Sequence, residues 1–188
     1  MIIELYGFSG SGKTYASSRI AKERGVELVE VSRFGMLYVY FVAFVLLHPV
    51  IFWRFFAIFV KENFPLGLRL FLHKLRLLIV MFAKEQKARF AGGGLVDEGI
   101  FMFLQTVFER PMEEADLRKL DFILSSADYQ VYVFNRPYEL CEKRIVERGR
   151  RPRQAFGEAY VEKWWPTFQR NHGVIDEFIR ENYSVVEV

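Results

Sequence analysis

Three observations predict an α/β fold built on a parallel sheet. A short apolar run opens the chain and passes directly into a glycine-rich turn and a helical pattern. Four more runs with strand character follow. Helical patterns lie between most of them, as right-handed crossovers between parallel strands require.

The elements read in order as follows. IIELY (2–6) is a short buried strand, and GKTYASSRIAKERG is a helix ending at Gly25, where glycine takes the left-handed cap conformation. VELVEVS (26–32), GLVDEG (94–99), YQVYVFN (129–135) and YSVVEV (183–188) read as the second to fifth strands. The helical stretch before the last strand carries Trp164, Trp165 and Pro166, read as aromatic core in a kinked helix.

Residues 36–90 interrupt the alternation with a long, mostly apolar insert in which Arg54 is the only charged residue from Gly35 to Val60. A membrane span is rejected. A single crossing would separate 7–14 from Asp97, and His48-Pro49 divides the run. Met36 to Leu47 would reach only about 18 Å as a helix, against a bilayer core of about 30 Å. Two or three short apolar helices are predicted instead. The last, within 66–90, is a basic amphipathic helix with Arg69, His73, Arg76, Lys84 and Lys87 on one side and Leu68, Leu72, Leu75, Ile79 and Phe82 elsewhere.

With 188 residues, 52% of them hydrophobic and 20 of them Phe, the chain can bury one substantial core, so a single domain over 1–188 is expected. A net charge of +3 is too small to imply nucleic acid without a localised patch. The lone Cys141 reads as a buried small hydrophobe, no Cys/His cluster has zinc spacing, and the opening residues lack a signal-peptide pattern. A cytoplasmic setting is the expectation.

The stretch GFSGSGKT (7–14) matches G-x-x-x-x-G-K-[ST] in full. Gly7, Gly10 and Gly12 allow backbone conformations and close approach that a Cβ would block, so the amides around Ser9 and Ser11 can face phosphate oxygens. The helix start adds its positive end, Lys13 neutralises the outer phosphates, and Thr14 offers a hydroxyl to Mg²⁺. LVDEG places Asp97 and Glu98 at the carboxyl end of a buried strand. Either could orient an acceptor hydroxyl, and Asp97 could hold Mg²⁺ through water. Gln105 lies two helical turns beyond. In RIVERGRRPR, Arg144 and Arg148 share a helix face, and Arg150, Arg151 and Arg153 follow on a loop suited to clamping a transferring group.

These three segments together resemble the small P-loop kinases related to nucleoside monophosphate, shikimate and gluconate kinases. The resemblance covers the framework and not the insert. It implies a P-loop NTPase three-layer sandwich with a five-stranded sheet ordered 2-3-1-4-5, an ATP·Mg²⁺ donor and an arginine lid over 144–153. The insert at 36–90 falls where such kinases bind their acceptor. There is no Asp-Arg pair after the third strand and no NKxD-like guanine reader, so base selectivity stays open.

The expected activity is therefore Mg²⁺-dependent phosphoryl transfer from ATP. A small or amphiphilic, lipid-linked acceptor beside Arg54, Arg69 and Arg76 is the leading reading. A soluble nucleotide or metabolite kinase and a membrane- or partner-docking NTPase switch are the alternatives. The insert is expected to contact a membrane surface peripherally, or else to form a homodimer through Phe52, Phe55 and Phe59.

Overall fold

A computed structural model describes residues 1–31, 34–149 and 153–188. At its centre lies β1 (Ile2–Tyr6), buried along its whole length, with β2 (Gly94–Val96) on one side and β3 (Tyr129–Val133) on the other. β4 (Ser184–Glu187) lies beyond β3. All pairings are parallel: Ile3 faces Leu95 and Gln130, and Val131 faces Val185.

The sheet thus has four strands in the order β2-β1-β3-β4, not the five expected. Of the predicted second strand, only a bridge between Leu28 and Leu95 forms. The Val29 amide donates to the Leu95 carbonyl and the Leu95 amide to the Glu27 carbonyl, both at 2.8 Å. The reason is the partner. β2 is three residues long and offers no ladder to extend. Lys87 instead pins the segment, pairing with the Glu27 carboxylate at 2.9 Å and donating to the Glu30 carbonyl at 3.1 Å. Ser32 lies outside the described residues.

Helices cover both faces of the sheet. On one face α1 (Lys13–Arg24) packs Ala16, Ile20 and Ala21 onto Ile3, Leu5, Leu95 and Tyr132. Gly25 caps the helix in the left-handed conformation, as expected. The alternate strand residues Ile2, Tyr6, Val96, Val131 and Val133 face a larger core on the other side. That core is built with the insert helices α2 (Phe34–Leu47), α3 (Pro49–Asn63) and α4 (Leu68–Phe90), and with α5 (Ile100–Val107), α6 (Glu114–Arg118) and α7 (Asp121–Leu124). α8 (Tyr138–Glu147) follows β3, and α9 (Glu158–Asn182) leads into β4. Trp164 of α9 is buried and Pro166 lies inside the helix.

The insert breaks at His48, with Pro49 in the first turn of α3. Among the described residues, no single helix is long and apolar enough to cross a membrane. The pair Gly35–Leu47 and Pro49–Leu66 reaches that length and composition only together, bent by 106°.

Two expectations for the insert are corrected. Phe52, Phe55 and Phe59 do not form a surface: all three are buried, packing around Phe82 and Phe103. Each contributes about 1.5–3 kcal/mol relative to exposure. Nor is most of the basic stripe of α4 a free cationic face. Lys84 pairs with Asp97 at 2.7 Å, Lys87 holds the Glu27–Glu30 segment, and Arg69 donates to the Ala155 carbonyl at 3.0 Å. The side chains are long enough to reach back to neighbouring elements, which helical periodicity alone does not reveal.

Candidate active site

The turn between β1 and α1 sits under α8. Gly7, Gly10 and Gly12 all have positive φ, and Gly12 occupies the N-cap of α1 without any side-chain cap. The first amides of α1 therefore have no intrahelical acceptor and are available to an anion. Gly10 is irreplaceable on two counts: its φ is 85°, and a Cβ there would lie 2.7 Å from the Cys141 carbonyl oxygen. Cys141 is the fully buried small residue on which the loop rests. Arg144, three residues on, donates from Nη1 to the Gly10 carbonyl at 3.2 Å. Ser11 Oγ is buried with no hydrogen-bond partner among the described residues, a polar atom that a bound phosphate could engage.

Lys13 is itself buried, with Nζ donating to the carbonyls of Gly7 at 2.6 Å and Phe8 at 2.8 Å. Burial lowers its pKa to about 8, against the upward pull of Glu98, Cys141 and Asp97. Thr14 is exposed at the start of α1. Asp97 and Glu98 follow β2 but part company. The Asp97 carboxylate accepts from Lys84 Nζ, whereas Glu98 is exposed and borders a cavity.

That cavity, of about 240 Å³, opens beside Ser9 and Glu98. Leu77, Val80 and Met81 of α4, Met102 and Phe103 of α5, and Trp164 and Phe168 of α9 form its apolar walls. His73, Thr106 and Arg153 add polar groups. Arg153 is held by Glu109 and by Tyr160 Oη at 2.5 Å, with its guanidinium 4.3 Å from the Trp164 ring centroid. Glu109 also pairs with the fully buried Lys74 at 2.6 Å. Arg54, Arg69 and Arg76, expected beside the acceptor, do not line this cavity; Arg54 stacks on Phe122 instead.

Of the other predicted site residues, Arg148 is exposed at the end of α8, and Arg150 and Arg151 lie outside the described residues. Gln105 is turned away from the cavity, its Nε2 at 3.0 Å from His172 Nδ1. His172 had no sequence motif to flag it. It stacks on Tyr6, lies 3.7 Å centroid to centroid from Phe8 of the loop, and is kept neutral by burial, which takes its pKa down to about 3.

Glu4 was also missed, although a charge inside the apolar run IIELY was a readable signal. Its Oε1 accepts from the Met102 amide at 3.1 Å, with the Phe101 and Ile100 amides contributing. A carboxyl from β1 thus caps the helix that begins just after Asp97 and Glu98. Gly99 is required for it to approach: a Cβ there would lie 2.5 Å from Glu4 Oε2. Burial, assisted by the charge of Glu85, pushes the Glu4 pKa up from 4.5 to about 8. A carboxyl raised on folding stabilises fully below its unfolded value and loses that contribution as pH rises through its folded one. Glu4→Gln should therefore gain stability relative to the parent from about pH 5 to about pH 8, by on the order of a few kcal/mol. Urea melts across that range check it, and a pH-independent difference would refute it.

Comparison with solved structures agrees with this architecture. Deoxyadenosine kinase from M. mycoides with bound dATP matches at a TM-score of 0.52 and 16% identity, covering 100% of this chain and 90% of that one. Deoxyadenosine kinase from M. mycoides with bound dCTP matches at 0.50 and 15%, covering 100% and 89%. No protein-family model and no curated protein matches the chain. Phosphate loop, parallel sheet and helical covering together give the chain the fold of a small P-loop kinase.

Proposed function

We propose that the chain is a nucleoside kinase that transfers the γ-phosphoryl group of ATP to a hydroxyl of a nucleoside. The observation that carries this reading is the cavity beside Ser9 and Glu98, which has room for a compact acceptor between the phosphate loop and a carboxylate. Its walls of Phe103, Trp164, Phe168 and Met102 suit a flat ring, and Glu98 at the loop end suits a sugar hydroxyl. The likeness to deoxyadenosine kinases with bound dATP and dCTP supports the same class of acceptor.

In this reading the loop amides of residues 9–14 and Lys13 hold the triphosphate. Glu98 takes the proton of the acceptor hydroxyl as its oxygen bonds to the γ-phosphorus; the bond to the β-phosphate oxygen breaks and ADP leaves. Arg144 braces the loop through Gly10, and Arg148, Arg150 and Arg151 are the candidates to meet transferring charge. Among the described residues no cluster of three or more His, Cys, Asp or Glu could hold a metal alone. Mg²⁺ bound to phosphates needs few protein ligands, so Thr14 fits the role directly and Asp97 through water. When bound, Mg²⁺ would neutralise charge on the phosphates.

A lipid-linked acceptor has weaker support, because the cations expected to meet its head group engage partners within the fold or lie off the cavity. The test is incubation with ATP and Mg²⁺ against purine and pyrimidine nucleosides, ribo and deoxy, with monophosphates read by mass spectrometry. At least one nucleoside should be converted. ATP binding without any nucleoside monophosphate, alongside phosphorylation of a sugar or polyprenol, would overturn the reading.

A further inference from the structure

α2 presents an unusual surface. It carries no charged residue over its whole length, and among its described side chains only Phe44 is almost completely enclosed by the rest of the chain. The outward positions form a broad face, with Met36 and Leu47 on one flank, Tyr38 on the other and a line of residues along its middle. Gly35, Val39, Val42 and Leu46 are exposed at successive spacings of four, three and four, with Val39 65%, Val42 50% and Leu46 73% exposed. Gly35 to Val42 and Val39 to Leu46 are each seven residues apart, the two-turn repeat by which one helix packs along another.

We propose that the chain pairs with a second copy of itself through an antiparallel contact of α2 with α2, centred between Val39 and Val42. The sequence of the seam fits its own reverse. A two-fold contact brings residue i to j and j to i. Centred here, it sets Val39 of one copy against Val42 of the other at both ends of the middle layer, and Leu46 against Gly35 in the outer layers. A large side chain meets a residue with none at each outer position, so the backbones can approach closely. The absence of charge along α2 means that no like charges are forced together.

Area supports a stable contact. With Met36, Tyr38 and Leu47 of the same helix, 44%, 42% and 57% exposed, the exposed surface of α2 is on the order of 600 Å², approaching the share that one partner gives to a standard interface. A membrane is a poorer match to the same surface. A helix lying in a bilayer interface keeps Lys and Arg along a polar face, and α2 has none. This proposal does not depend on the kinase reading.

Light scattering on the full chain at micromolar concentration should give the mass of two chains. Val42→Glu should give one chain, with its melting temperature and ATP affinity kept. To test the register, Val39→Cys and Val42→Cys chains are mixed under mild oxidation: the mixture should yield the disulfide-linked pair and each variant alone should not. Cross-linking of each variant with itself would overturn the antiparallel register. A parent chain that is monomeric, whether or not it floats with phosphatidylcholine–phosphatidylglycerol vesicles, would overturn the pairing, as would a Val42→Glu chain that stays dimeric.

Discussion

Lys13→Ala should lower phosphoryl transfer by at least about 100-fold, on the scale of losing one electrostatic donor in a preorganised site, and should weaken binding of ATP with Mg²⁺. The ammonium is cationic near neutrality despite its buried position, because Glu98, Cys141 and Asp97 oppose the effect of burial and leave its pKa at about 8. Bound triphosphate would favour the charged form further. Affinity for ATP in the parent should accordingly fall as pH rises through about 8, and the variant should lack that step. In the structure the same group satisfies the carbonyls of Gly7 and Phe8. Each such charge-assisted bond is worth about 1.5–3 kcal/mol, so its removal loosens the loop as well as removing a contact to phosphate. The sheet and its two cores do not rest on these bonds, and the far-ultraviolet dichroism should be unchanged. Calorimetry with ATP and Mg²⁺ is the decisive measurement: equal affinity in variant and parent would remove Lys13 from the site.

The sequence made some of this structure legible because certain chemistry tolerates only particular residues at fixed spacing. The loop over 7–14 was readable from its glycines, lysine and threonine, and the end of α1 from Gly25. The break at His48-Pro49 was readable from the geometry of proline. The second strand was misread because its composition suits a strand, while strand formation also needs a partner, and β2 ends after three residues. The stripe on α4 was misread for a related reason: periodicity says which residues share a face but not whether Asp97, Glu27 or solvent waits opposite. The cavity was largely hidden. Its walls come from α4, α5 and α9, and residues such as Leu77, Phe103 and Phe168 look like ordinary core until those elements are brought together. Asp97 and Glu98 could not be told apart in one dimension, since adjacent carboxylates at a strand end differ only in the direction each side chain takes.

That difference of direction sets the second large expected effect. Glu98→Gln should reduce kcat by about 10²- to 10⁴-fold, the usual contribution of a positioned general base, with little loss of ATP affinity. The amide keeps the size of the side chain at the cavity mouth but cannot accept the proton of an attacking hydroxyl. It also removes the largest charge that holds up the Lys13 pKa, so the pH at which ATP binding weakens should move below about 8. Asp97→Asn should act differently. Its carboxylate is already engaged by Lys84 at 2.7 Å, and the pair is partly exposed, at 30% and 12% for the two side chains. Loss of one partner of such a pair costs between the roughly 1 kcal/mol of an exposed pair and the roughly 3 kcal/mol of a buried one, and turnover should fall by less than in Glu98→Gln. Steady-state kinetics of the two variants, with ATP affinities measured in parallel, decide between the carboxylates. If Asp97→Asn is the crippling change and Glu98→Gln is mild, the proton goes to the residue that faces Lys84, and the cavity beside Glu98 is not where the acceptor hydroxyl reacts.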